Sequence, residues 1–274
     1  MSGWRLILRQ QPSLRVDLRG VIPSALALLT AQQLASLPLG HGRDLVALGE
    51  FFVVAPRDDD RLLLEGDLSR FDRVGWELDG GSLQVDGPVG DHAGGAMRDG
   101  ALVVHGHAGQ LAGCEMAGGR LEIHGNVGDF AAASLPGSMD GMRGGVLLVH
   151  GSAGIRFGDR MRRGSALVFG DAGDFLASRM VAGTVALGGR AGAHVGYGMR
   201  RGSVVLADAA AQPPPPATFV PAIGDASVFW QLLARDLARL GGAGSVFAGL
   251  PQRRARRWLG DLAAGGKGEL ILPE

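Results

Sequence analysis

Met97-Arg98-Asp99-Gly100-Ala101-Leu102-Val103-Val104-His105-Gly106 returns 19 residues later as Met116-Ala117-Gly118-Gly119-Arg120-Leu121-Glu122-Ile123-His124-Gly125, and this recurrence decides the fold. Written once, the frame is Met-x-x-Gly-x-φ-x-φ-x-Gly-x-x-Gly, with φ apolar. It starts again at Met142, Met161, Met180 and Met199, and Gly145, Gly164, Gly183 and Gly202 follow three residues after each. The closing glycines Gly87, Gly106, Gly125, Gly151, Gly170 and Gly189 are spaced 19, 19, 26, 19 and 19. A fixed period near 20 residues marks a solenoid, because a unit so small buries its apolar face only by stacking on its neighbours.

Two apolar columns run through the repeats. Leu83, Leu102, Leu121, Leu147, Ala166, Val185 and Val204 form one, and Val85, Val104, Ile123, Val149, Val168, Leu187 and Leu206 form the other. They stand two residues apart, so one strand face carries both into the core. At about 4.8 Å per layer, seven coils rise roughly 30 Å. The methionines form a third interior ladder, their flexible side chains filling an irregular corner. That packing accounts for the period without a row of sulfur ligands. Glycine belongs at the bends, where positive φ or close backbone contact excludes a side chain.

The 26-residue step holds a seven-residue insertion near Ser134-Leu135-Pro136-Gly137-Ser138, a loop bulging from one corner and a natural contact site. The flanks divide the chain into an N-terminal α+β cap (1–75), the glycine-rich β-helix (76–210) and a C-terminal helical extension (211–274). In the cap, Trp4–Arg9 and Leu14–Leu18 alternate as strands, and Pro23–Ala35 reads as a helix. Leu62-Leu63-Leu64-Glu65-Gly66 is a first degenerate coil, and Leu78 takes the methionine slot of the next. Pro213–Pro216 ends the stack, since proline donates nothing to a ladder. The tail predicts a helix over Val228–Leu240, a second from Pro251 to near Gly260, and a last strand over Glu269–Leu272.

The 27 basic and 27 acidic residues among 274 balance, which argues against a general nucleic-acid binder. Arginine supplies nearly all the positive charge, with Lys267 the single lysine. One cysteine, Cys114, allows no internal disulfide. Without an apolar leader or an 18-residue apolar stretch, the chain is expected in the cytoplasm and off the membrane.

Several residues invite chemistry. His105, His124 and His150 precede closing glycines and stack about 4.8 Å apart. Parallel imidazoles do not converge on an ion, and no carboxylate cluster beyond Asp86 supports them, so an outward polar ladder is the expectation. Arg98, Arg143, Arg162 and Arg200 follow methionines, with Arg163 and Arg201 beside the last two. Stacking gathers them into a basic strip whose forks suit carboxylates or phosphates, or which serves only as a solvated edge. The mid-strand residues Gln84, Val103, Glu122, Leu148, Leu167, Ala186 and Val205 face outward and turn apolar along the stack, so the C-terminal helices, another subunit, or both cover them. Arg253–Trp258 reads as a solvated face or protein contact, and Gly260–Gly268 misses the phosphate-loop spacing. Neither a nucleophile–base pair nor paired carboxylates on one coil emerge.

The repeat is similar to the glycine-rich β-helix shared by the C-terminal domain of glutamate synthase and the C-type subunit of formylmethanofuran dehydrogenase. Leu-Gly-Glu-Phe-Phe-Val (48–53) and Gly-Asp-Leu-Ala-Ala-Gly-Gly-Lys-Gly-Glu-Leu (260–270) resemble the segments the second family places before and after its coils. The resemblance implies a right-handed parallel β-helix without catalytic residues that braces its partner subunits. The arginine-rich composition points to the bacterial version, the formyltransferase/hydrolase complex of methylotrophs. That complex releases formate from formyl-tetrahydromethanopterin through a methanofuran-like carrier with a glutamate-rich tail. Hydrolase, formyltransferase and dehydrogenase-like subunits are then the implied partners. No cofactor is expected on this chain itself. Arg143, Arg162, Arg163, Arg200 and Arg201 are the residues assigned, on charge complementarity alone, to the carrier's tail or an acidic partner. The rival readings are the C-type subunit of a tungsten or molybdenum formylmethanofuran dehydrogenase and a free-standing β-helix enzyme on acidic polysaccharide. The latter needs clustered Asp or Lys on adjacent coils, and one lysine serves it poorly.

Overall fold

The structure, a computed structural model, describes residues 3–274. Each repeat contributes one short strand, and strands one repeat apart pair side by side. From Gly3–Leu8 through Leu62–Glu65 and Asp79–Asp86 to Ser203–Leu206 and Gly268–Pro273, every step of this ladder is parallel. The register aligns Leu83, Leu102, Leu121, Leu147, Ala166, Val185 and Val204. Both apolar columns are at most 2% exposed, and all six repeat methionines are at 0%. Leu78, in the methionine slot, is equally buried.

A second, shorter contact line closes the other side of each unit. Leu68, Val89, Ala108, Val127, Ala153, Ala172 and Ala191 bridge in parallel from one layer to the next. Beside it, polar side chains cap the backbone of the layer above: the amide N–H of Ser152 donates to Asn126 Oδ1 at 2.8 Å, and that of Arg190 to Asp171 Oδ1 at 2.7 Å. The corner N–H groups find no partner within their own strand ladder, and these side-chain acceptors supply one.

The two glycine sets have different causes. Gly119 has φ +75°, a left-handed backbone that favours glycine. Gly125 does not; a Cβ there would stand 2.6 Å from Gly106 O in the layer below. The left-handed positions also include β-carbon residues, among them His92, Leu111, Phe130, Phe175 and His194 with φ between 60° and 64°. Such residues carry a conformational penalty that stacking must offset.

The sheet is longer than the repeat, with 13 strands, and it is mixed. Phe52–Arg57 pairs antiparallel with Gly3–Leu8 at one end. At the other, Ala255–Gly260 runs antiparallel to Gly268–Pro273 and to Val220–Pro221. A second sheet of four strands joins Asp44–Ala47, Pro38–His41, Val16–Asp17 and Phe71–Asp72.

Several expectations for the flanks need correction. The helix anticipated over Pro23–Ala35 is two, Pro23–Leu26 and Ala31–Ala35, because a capping box at Thr30 with Gln33 starts a new one. The strand anticipated over Leu14–Leu18 shrinks to Val16–Asp17. The helix anticipated from Pro251 to Gly260 is overturned: after one 3-10 turn at Leu250–Gln252 the chain is a strand, Ala255–Gly260. Its partner Gly268–Pro273 outweighs the helix-forming tendency of an arginine run. The tail is therefore one helix, Ser227–Gly241, against an antiparallel hairpin, and not a helical extension.

That helix settles the apolar strip. Trp230, Ala234 and Leu237, with Phe247 and Leu250, pack on Leu148, Leu167, Ala186 and Val205 as a second core. Trp230 Nε1–H donates to Arg253 O at 2.7 Å, tying helix to hairpin. The early mid-strand positions Gln84, Val103 and Glu122 stay partly open.

Candidate functional site

Two surfaces carry chemistry-bearing side chains. The first is the arginine strip. Each of its members follows or closely follows a repeat methionine, so the 19-residue register stacks them on one edge. Arg143, Arg162, Arg163, Arg200 and Arg201 all line one open groove of about 620 Å³, with Val181 and Ala182 at its floor. All five arginines are exposed. Arg162 pairs with Asp140, a residue of the insertion loop. Among the described residues, Arg143, Arg163, Arg200 and Arg201 have no acidic partner within ion-pair distance. Arg98, the sixth member by pattern, lies outside the groove and pairs with Glu77 at 3.3 Å. Sequence reasoning missed one neighbour: the backbone N–H of Lys267 donates to Arg200 O at 2.7 Å, placing the single lysine beside the strip. The signal was available, since Gly268–Pro273 continues the apolar column as a further layer.

The second surface is the histidine column. His105, His124, His150 and Phe169 stack with ring centroids 4.6, 5.0 and 4.6 Å apart, and Phe247 closes the row. The expectation that no carboxylate supports it beyond Asp86 is wrong. His105 Nε2 is 3.9 Å from Asp86, but Glu122 Oε1 stands 2.9 Å from His150 Nε2 and 3.5 Å from His124 Nε2. Glu122 shares the outward face of its strand with His124, two residues on, and period-two alternation contained that fact.

The electrostatics of this cluster are set by burial and close pairing. Burial works against ionisation of Glu122, but hydrogen bonds from His150 and Arg120 outweigh it and hold the carboxyl below its ordinary range. His124 is pushed down by burial first and then by the neighbouring His105 and His150. Cys114 is a core residue whose thiol burial pushes up to about 12, far from a usable nucleophile at neutral pH.

Comparison with known proteins adds the family. No family model matches the chain. It is similar to the C-type subunit of the formyltransferase/hydrolase complex Fhc of Methylorubrum extorquens, 42% identical over 76 residues, or 28% of this chain and 29% of that one. It is also similar to the C-type subunit of the tungsten-containing formylmethanofuran dehydrogenase 2 of Methanothermobacter thermautotrophicus, 33% identical over 99 residues. That match covers 34% of this chain and 37% of the relative, so both alignments span well under half of the curated relatives. The likeness in three dimensions is far wider. A chain in the X-ray crystal structure of the formyltransferase/hydrolase complex (FhcABCD) from Methylorubrum extorquens, in complex with methylofuran, superposes with a TM-score of 0.91. It is 41% identical, over 98% of this chain and 99% of that one. The chain belongs to the C-type subunit family of the formyltransferase/hydrolase complex.

The chain leaves some of its large apolar side chains uncovered. Val228, Phe229 and Leu232, on the outer side of the C-terminal helix, are 74%, 41% and 61% exposed. Among the described residues no helix is long and apolar enough to cross a membrane.

Proposed function

We propose that this chain is a non-catalytic, scaffolding subunit of a cytoplasmic formyltransferase/hydrolase complex. The complex converts formyl-tetrahydromethanopterin to formate by way of a methanofuran-type carrier. The supporting observation is the near-complete superposition, at 41% identity, on a chain of that complex with methylofuran bound. The chain's part is to hold the hydrolase, formyltransferase and dehydrogenase-like subunits at fixed separation on a rigid stack. The stack is a right-handed parallel β-helix of about seven full coils, bounded by a 1–75 cap and a 211–274 extension. A wider kinship with the glutamate synthase C-terminal domain rests on the repeat alone. Co-expression with the other subunits tests the assignment: one stable hetero-oligomer with formyl-transfer activity is expected, and recovery of the chain alone overturns it.

The groove formed by Arg143, Arg162, Arg163, Arg200 and Arg201 is the surface for the carrier's acidic tail or an acidic stretch of a partner subunit. Guanidinium forks match carboxylates in bidentate geometry, and closely spaced like charges gain by binding an anion. The quadruple variant R162A/R163A/R200A/R201A is expected to lose carrier during gel filtration of the complex, more so at higher salt. Undiminished retention refutes the assignment.

A further inference from the structure

We propose that Glu122, His124 and His150 bind one divalent transition ion of the zinc class on the outer face of the stack. The three ligand atoms lie within 4.8 Å of one another. Glu122 Oε1 is the focus, 2.9 Å from His150 Nε2 and 3.5 Å from His124 Nε2. Zinc bonds of about 2.0–2.2 Å in tetrahedral array set ligand atoms roughly 3.3 Å apart, so the cluster needs only small side-chain shifts.

The frame beneath the ligands is rigid. Glu122 lies in the strand Arg120–Ile123 and His124 directly follows it. His150 follows the neighbouring strand Arg143–Val149, and the pairing Ile123↔Val149 puts the two histidines one layer apart in register. Supporting contacts orient each group. Arg120 donates to Glu122 Oε2 at 2.8 Å, occupying that oxygen and leaving Oε1 turned to the imidazoles. Phe169 stacks on the His150 ring at an interplanar angle of 21°, fixing its plane. Such outer contacts are what orient metal ligands.

A metal needs an ionised carboxylate and neutral imidazoles, so its binding is coupled to proton release. Binding replaces the hydrogen bond between His150 Nε2 and Glu122 Oε1. The His150 ring proton then resides on Nδ1, or leaves to solvent if the imidazole was charged. Two nitrogens and one oxygen select a borderline ion over magnesium or calcium. His124 and His150 side chains are 44% and 35% exposed, so a fourth position opens outward to water or a partner side chain.

The inference does not rest on the scaffold reading, since the three ligands belong to this chain alone. The test uses metal-free full-length chain titrated with Zn²⁺ alone against a chromophoric chelator, and with Co²⁺ for its visible bands. One ion per chain is expected, with E122Q, H124Q and H150Q each weakening binding by more than about tenfold. H194A is the control: the His194 ring stacks on Phe175, outside the histidine column, and the variant is expected to bind like the parent. Circular dichroism confirms the fold of each variant, and any one of the three that folds suffices for the comparison. A parent chain binding zinc more weakly than about 100 μM, or ligand variants binding as tightly as the parent, overturns the proposal.

Discussion

Met161 shows how single residues hold the stack. Fully buried in the methionine ladder, its side chain also approaches the layer above, since a Cβ on Gly183 would meet Met161 Cε at 3.1 Å. Met161→Ala is expected to cost about 2–5 kcal/mol in chemical unfolding, and Met161→Leu less than about 1.5 kcal/mol. Gly125→Ala meets the Gly106 carbonyl and His107 Nδ1, both at 2.6 Å, and should lower the melting temperature although alanine is small. His124 and Glu122 carry a pH signature. His124 is held below 6.5, so between that value and its folded one the unfolded chain binds the extra proton and stability falls as pH drops. Glu122, held below 4.5, loses its stabilising part only as pH falls further through its own folded value. Thermal melts should decline from about pH 6.5 downward, and H124Q should flatten the upper part of that decline. The methionines and inner columns were legible because their period is strict. The Glu122 contact was not, because one residue's place on a face says little until the next layer's histidine is set beside it.

At the level of elements, strands of the repeat read cleanly and the tail did not. Arg253-Arg254-Ala255-Arg256-Arg257-Trp258 carries no alternation that separates strand from helix; only the partner strand Gly268–Pro273 decides. The Ser227–Gly241 helix, by contrast, announced itself through its apolar stripe, and the strip it covers was visible as a shift from Gln84 to Leu148 and Leu167. Trp230→Ala should therefore act on two elements together, removing a large core side chain and its bond to Arg253 O. A loss of about 3–5 kcal/mol is expected. Hydrogen exchange should rise in the helix and in Ala255–Gly260 while the strand Asp99–Val104 stays protected. Equal exchange gains in that distant strand would mean that the tail is not a separate packing unit.

For the whole molecule, the controlling quantity is the repeat length. Deleting residues 98–116 removes one period and rejoins Met97 to Ala117 with every later side chain on its former face. The shortened chain should fold, with circular dichroism like the parent's and a lower melting temperature, as stacked repeats sum nearest-neighbour terms. Deleting residues 98–115 instead leaves one residue too many, which turns one layer's alternation inside out. Aggregation or loss of the cooperative transition is expected from that variant. The stacking was legible in the sequence because like sits on like. The ends were less so: Gly3–Leu8 is a working layer, with Trp4 opposite Leu62, though it lacks the glycine–methionine frame that would have marked it.

The strands at the two extremities of the long sheet have a consequence for what the protein avoids. A ladder ending in its own repeat would offer the next molecule a matching template and invite open-ended polymerisation. Here Phe52–Arg57 runs against the grain at one edge, while at the other the reversed Ala255–Gly260 is followed only by the two-residue Val220–Pro221, where Pro221 brings a residue without an N–H to the border. A newcomer in the repeat's orientation meets the wrong polarity at the first edge and a short, proline-bearing strand at the second. The object is thereby of fixed length, roughly 58 Å over its 13 strands, a ruler and not a thread.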